Sequence, residues 1–199
     1  TYVSSGGTMI FAGGGFVSPT VESGGTKLVA SGATVGTSAL TASAGVVLAV
    51  RGTTNDAQIL SGGTVIISSG GSAVAPVMHS GGTIVFAGGS VTAIQPDVGI
   101  TEVVLPGVSV GGTNVNVWVS GTGIVSGTVS SNTVFSAGTE IVYAGGSAIG
   151  LTISDGGTAI VSGGGAASGT IIRNGVQTIS TGGTAYAATV CAVGTELVM

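Results

Sequence analysis

Groups able to do chemistry are scarce in this chain. Its 199 residues hold seven Asp and Glu, three Lys and Arg, one His, one Cys and one Trp. Hydrolysis of a glycosidic bond needs two carboxyl groups facing one substrate. The carboxylates are Glu22, Asp56, Asp97, Glu102, Glu140, Asp155 and Glu196, far apart in the chain. A metal centre or a Cys nucleophile needs His, Cys or a base close by, and His79 and Cys191 are 112 positions apart. The abundant groups are hydroxyls. Ser opens the phrase SGGT at Ser5, Ser23, Ser61 and Ser80, and related phrases at Ser43 and Ser136. Ser next to Gly-Gly is turn chemistry, and it is also a row of possible acceptors for a covalent modification.

Composition excludes several classes. Three cations cannot neutralise a nucleic-acid backbone. One Cys excludes a disulfide scaffold. Gly is 40 of 199 residues, without the three-residue period of collagen. Hydrophobic residues at 43% exclude disorder. The longest apolar run, residues 44–50, is too short for a membrane span. A phosphate-binding glycine loop is absent, and so is the Asp-bearing nonapeptide of calcium rolls. No cofactor and no metal are expected.

The elements that would position these groups come from a repeat. Taking the last residue of each SGGT-like phrase as an anchor gives Thr8, Thr26, Val46, Thr64, Thr83, Thr101, Thr122, Thr139, Thr158, Gln177 and Thr195, in steps of 17 to 20 residues with one of 21. This predicts a single array over residues 1–199 of about eleven coils. Two places after the anchor, all eleven residues are aliphatic: Ile10, Leu28, Leu48, Ile66, Val85, Val103, Ile124, Ile141, Ile160, Ile179 and Leu197. Five places before it stand Val3, Val21, Ile59, Met78, Val117, Val134, Ile153, Ile172 and Val190, with Thr41 and Pro96 between. The place right after the anchor varies freely. Period-two alternation then predicts short strands, with the invariant column inward and the variable column outward. Paired glycines between strands supply the positive φ of tight turns. Such a unit buries its aliphatics only by stacking, with parallel pairing at about 4.8 Å per layer. The expected fold is all-β, a right-handed parallel β-helix.

One column fits this alternation poorly. Three places after the anchor stand Phe11, Val29, Ile67, Phe86, Val104, Val125, Val142, Val161 and Val198, nearly all apolar where strict alternation points outward. Either the strand bends and they enter the core, or they form an exposed stripe that marks an interface. Glu102 and Glu140 are expected in the outward column, two coils and about 10 Å apart, just beyond an inverting pair, so they read as solvated charges rather than a catalytic site. His79, Trp118, Arg173 and Cys191 are expected together in another outward column. The Thr anchors suggest an ice-binding ladder, which needs a second regular outward column. The expected neighbour is irregular, so ice binding is not expected.

Repeats of about 19 residues, clearest in SGGTVIISSGGSAVAPV at 61–77 and DGGTAIVSGGGAASGTI at 155–171, resemble the strand-loop-strand repeats of AIDA-type autotransporter passengers. The resemblance implies a β-helix on the outer surface of a Gram-negative bacterium, acting in adhesion, self-association and biofilm formation without catalysis. It implies a cell-surface carbohydrate or protein receptor, and O-heptosylation by a dedicated heptosyltransferase. The acceptors that match the motif are Ser5, Ser23, Ser43, Ser61, Ser80 and Ser136. A second reading is a filament subunit, stacking end to end through uncapped coils. An enzyme acting on polysaccharide is a distant third.

Overall fold

The computed structural model describes residues 1–13, 19–36, 40–111, 118–119, 121–135 and 138–199. The chain is an all-β parallel solenoid without helices among the described residues. Among the described residues no helix is long and apolar enough to cross a membrane. The residues gather into two compact units, Thr1–Ile100 and Thr101–Met199.

In the first unit five strands stack in parallel: Thr8–Phe11, Thr26–Val29, Val47–Val50, Thr64–Ser68 and Thr83–Ala87. Two further faces carry four strands each, with a separate pair formed by Tyr2–Val3 and Thr20–Val21. In the second unit six strands, from Thr101–Val104 to Thr195–Val198, make the same broad face, and the other two faces carry five strands each. Among the described residues nine turns therefore carry all three faces (4 + 5), fewer than the eleven coils counted from anchors.

The glycine pairs form the corners. In the SGGT of residues 61–64, Gly62 has φ +71°, a left-handed turn that a side chain would strain. Gly63 is buried against the wall of the previous coil, where a Cβ would run into the Ala42 carbonyl. This inward glycine sets the parity of the strand that follows. Thr64 then faces out, Val65 in, Ile66 out and Ile67 in. The same order holds in Thr26–Val29 and Thr139–Val142.

The strands therefore face the opposite way from the alternation that the sequence predicts. The expected interface stripe is core: Phe11, Val29, Ile67, Phe86, Val104, Val125, Val142 and Val161 are buried, and Val198 alone of the set is exposed. Leu48 and Ile179 of the column two places after the anchor are buried as expected, but the rest of that column faces out, from Leu28 and Ile66 to Ile124, Ile141 and Ile160. These residues are half-buried because neighbours one rung away cover their flanks. The variable column points into the lumen, where side chains of different size fill an irregular interior. The column five places before the anchor is inward as its aliphatic character implies, with Ile59, Met78, Val134, Ile153 and Ile172 fully buried.

Two coils are shifted by one residue from the anchor reading. Val47 pairs with Thr64 and Val176 pairs with Thr158, so these valines, not Val46 and Gln177, hold the anchor position. Each coil has one glycine where its neighbours have two. Val46 fills the inward glycine position of its coil, and in the other coil the Asn174 carbonyl accepts from the Gly156 N–H while Gly175 keeps the inward place.

Candidate functional site

The first unit presents a row of serines along one corner. The turn glycines are tied rung to rung by backbone hydrogen bonds, Gly6 to Gly24 at 3.0 Å, Gly24 to Gly45 and Gly45 to Gly62 at 2.8 Å, Gly62 to Gly81 at 2.9 Å and Gly81 to Gly99 at 3.1 Å. The residues just before them, Ser5, Ser23, Ala44, Ser61, Ser80 and Val98, therefore stand in one column, and its four serines are exposed. A Cβ on Gly24, Gly81 or Gly99 would come 2.5, 2.6 or 3.0 Å from the Oγ of Ser5, Ser61 or Ser80. The bare glycine of each following coil is thus what leaves the hydroxyl below it uncovered. Ser43 is exposed but sits one place before the column, which Ala44 occupies, because its coil is shifted by one residue. Ser136 lies outside the described residues.

The two acids expected in solvent are inside the second unit. Glu102 pairs in register with Gly123, and Gly123 with Glu140, so the carboxyl side chains share one inward column two rungs apart. Glu102 is 3% exposed and Glu140 is fully buried. Asn132 Nδ2 donates to Glu140 Oε2 at 3.0 Å. Glu102 Oε1, Glu140 Oε1 and Asn132 Oδ1 have no hydrogen-bond partner. Burial, and then the charge of Glu140, raises the Glu102 pKa to about 8. Burial raises Glu140 to about 7 against the opposing pull of the Asn132 hydrogen bond. Sealed from solvent, this pair cannot meet a polysaccharide, and it does not keep the surface soluble. The lumen of the first unit holds Lys27, whose Nζ donates to the Thr41 carbonyl at 2.6 Å and whose pKa burial lowers.

The expected column of His79, Trp118, Arg173 and Cys191 does not form as a set. Trp118 pairs with Thr133, the strand position before the inward Val134, while Arg173 follows the inward Ile172 and Cys191 follows Val190, which pairs with Ile172 but is exposed. The reason is that Val119 stands opposite Val134. His79 has a local partner that spacing did not reveal. Its Nδ1 lies 3.3 Å from Asp97 Oδ2 and its Nε2 lies 3.0 Å from Gln58 Oε1, linking three successive coils. Cys191 is free and partly exposed. Among the described residues no three His, Cys, Asp or Glu side chains are grouped to hold a metal ion.

The broad face is the other extended surface. In the second unit Thr101, Thr122, Thr139 and Thr158 pair rung by rung, and so do Val103, Ile124, Ile141 and Ile160 two places along. Both ranks face out. Across both units, every charged residue in the broad-face strands (Lys27, Glu102, Glu140 and Glu196) occupies the inward column, so the outward ranks carry no charge.

No protein-family profile matches the chain, and no curated protein matches it. Among solved structures, the chain is similar to a TibA fragment described as hyper-glycosylated in a reaction catalysed by TibC, with 25% identity and a TM-score of 0.57. The match covers 100% of this chain and 91% of the TibA fragment.

Proposed function

We propose that this chain is a segment of a non-catalytic adhesin-like passenger, displayed on the outer surface of a Gram-negative bacterium and modified by O-linked sugar on its corner serines. The observation that carries the reading is the serine column of the first unit. Ser5, Ser23, Ser61 and Ser80 are exposed, stacked at rung spacing, and each of the hydroxyls of Ser5, Ser61 and Ser80 is bordered by a glycine. The full-length similarity to a hyper-glycosylated TibA fragment supports it. The implied partner is a TibC-like heptosyltransferase. Sugar would supply the solvation that ten charged residues do not. The two units would act as one array, and adhesion would come from a surface carbohydrate or protein receptor or from self-association.

The reading is tested by co-expressing the chain with TibC and measuring intact mass and modified peptides. The expected result is sugar at Ser5, Ser23, Ser61 and Ser80, lost position by position in Ser→Ala variants. An unmodified chain, or sugar confined to serines outside this column, overturns it.

A further inference from the structure

The broad face of the second unit raises a question that the serine column does not answer. A surface usually recognises its ligand through charge, a pocket or an aromatic platform, and the outward ranks of this face hold no charged and no aromatic residue. What the face does have, over its first four rungs and before Val176 and Thr178 exchange the two residue types, is two-dimensional order. Thr101, Thr122, Thr139 and Thr158 repeat at rung spacing, about 4.8 Å, and the aliphatic rank from Val103 to Ile160 runs beside them at two residues, about 6.6 Å. The second regular outward column that sequence reasoning found missing is therefore present. It is the aliphatic column that alternation alone places in the core.

We propose that this face binds ice. The rung spacing lies near the repeat of water oxygens along the a axis of hexagonal ice, while the two-residue spacing is shorter than the c-axis repeat, so the match runs along each rank. Each Thr brings a methyl group, which orders the adjoining water, and a hydroxyl, which holds a water by hydrogen bonding. The Val and Ile methyls continue the ordered layer across the strand. Charged groups would impose their own hydration, and the fold turns Glu102 and Glu140 inward, off this face. Dry stacking of a second copy on the same face is disfavoured. It would strip water from a whole rank of hydroxyls, and each one left unpaired costs about 1–3 kcal/mol.

The test is thermal hysteresis of the full-length protein, with ice-crystal shaping as a second readout. The wild type is expected to hold freezing below melting and to facet the crystals. Thr139→Lys with Thr158→Lys is expected to reduce both effects to those of an equal concentration of a control protein. Thr133→Lys with Thr152→Lys, on a different face, is expected to retain them. Circular dichroism melting of each variant separates loss of the face from loss of the fold. Should the first pair fail to fold, Thr158→Tyr alone repeats the test. Absence of hysteresis in the wild type overturns the proposal. So does equal activity in folded broad-face variants, or concentration-dependent dimers that form through this face without any effect on ice.

Discussion

The buried acids make the stability of the second unit depend on pH in the direction opposite to that of a salt-bridged carboxylate. In the unfolded chain Glu102 and Glu140 titrate near the ordinary value of 4.5, and in the folded chain near 8 and near 7. Between these limits the folded state binds more protons than the unfolded state, so stability falls as pH rises. The contribution is complete below about 4.5 and declines through the window up to about 8. Above that both states are ionised and the curve flattens. At 1.36 kcal/mol per pKa unit, the Glu102 shift corresponds to roughly 5 kcal/mol and the Glu140 shift to roughly 3 kcal/mol. They do not simply add, because part of the Glu102 shift is the charge of Glu140 itself. A loss on the order of 5 kcal/mol between pH 4.5 and 8 is a large share of the stability of a domain.

The assay is denaturant unfolding at several pH values across that window, on the wild type and on Glu102→Gln with Glu140→Gln. Gln keeps the shape and removes the titration. The remaining acids and His79 are common to both proteins, so their effects cancel in the difference. The wild type should lose stability steadily toward pH 8, while the double variant stays nearly level and is the more stable of the two at pH 8. Parallel pH profiles would refute the burial of these side chains, and with it the assignment of their column to the lumen.

Four further outcomes follow from the same packing. Ile141→Lys on the outward rank should change stability by no more than about 1 kcal/mol, whereas Val142→Lys one residue later buries an unpaired charge and should cost about 4 kcal/mol or more; urea midpoints distinguish them. Gly63→Ala places a methyl against the Ala42 carbonyl and should cost about 2 kcal/mol, read from a thermal melt. Asn132→Ala removes the hydrogen bond that lowers the Glu140 pKa, so its carboxyl carbon should titrate still higher by NMR. Asp97→Asn breaks a half-exposed pair with His79, whose side chains are 40% and 59% exposed for His and Asp. It should cost less than about 1 kcal/mol in the same urea assay.

The solenoid itself was legible because Gly-Gly corners recur on a fixed period and no other register accounts for the chain. The facing of the strands was not legible from hydrophobicity. In Thr139–Val142 both Ile141 and Val142 are aliphatic, one outward and one inward, and the inward residue at the start of the strand is Glu140. A sheet with apolar side chains on both faces has no clean alternation to read. The deciding signal was the second glycine of the phrase. Gly25, Gly63 and Gly157 are buried at places where a Cβ would strike the backbone of the preceding coil or of the same turn. A place that rejects even a methyl group is the crowded inner wall, and counting by two from it puts Thr outside and Glu102 and Glu140 inside. The serine column was legible wherever the phrase is intact, and it slipped at Ser43, where Val46 fills the second-glycine place and moves the coil by one.

The same count by two explains how a chain with so little charge keeps ordered outer surfaces. Lys27, Glu102 and Glu140 are spent on the lumen, where they are costly, instead of on the broad face, where they would be cheap. The inward acids contribute least to folding stability when ionised, so nothing in the energetics of the core favours them over Val or Ile. The pattern they leave outside is specific: an uncharged face of Thr and aliphatic ranks, and a separate corner of uncovered serines in the first unit. On the proposed reading, surface repetition rather than a single pocket is the functional unit. One substitution on a rank should weaken a periodic interaction by a fraction, whereas one substitution in a catalytic site abolishes activity. Single Ser→Ala changes in the corner column should therefore lower sugar occupancy stepwise, in proportion to the positions removed. An all-or-none loss from any one of them would point instead to a unique recognition site and against a surface built by repetition.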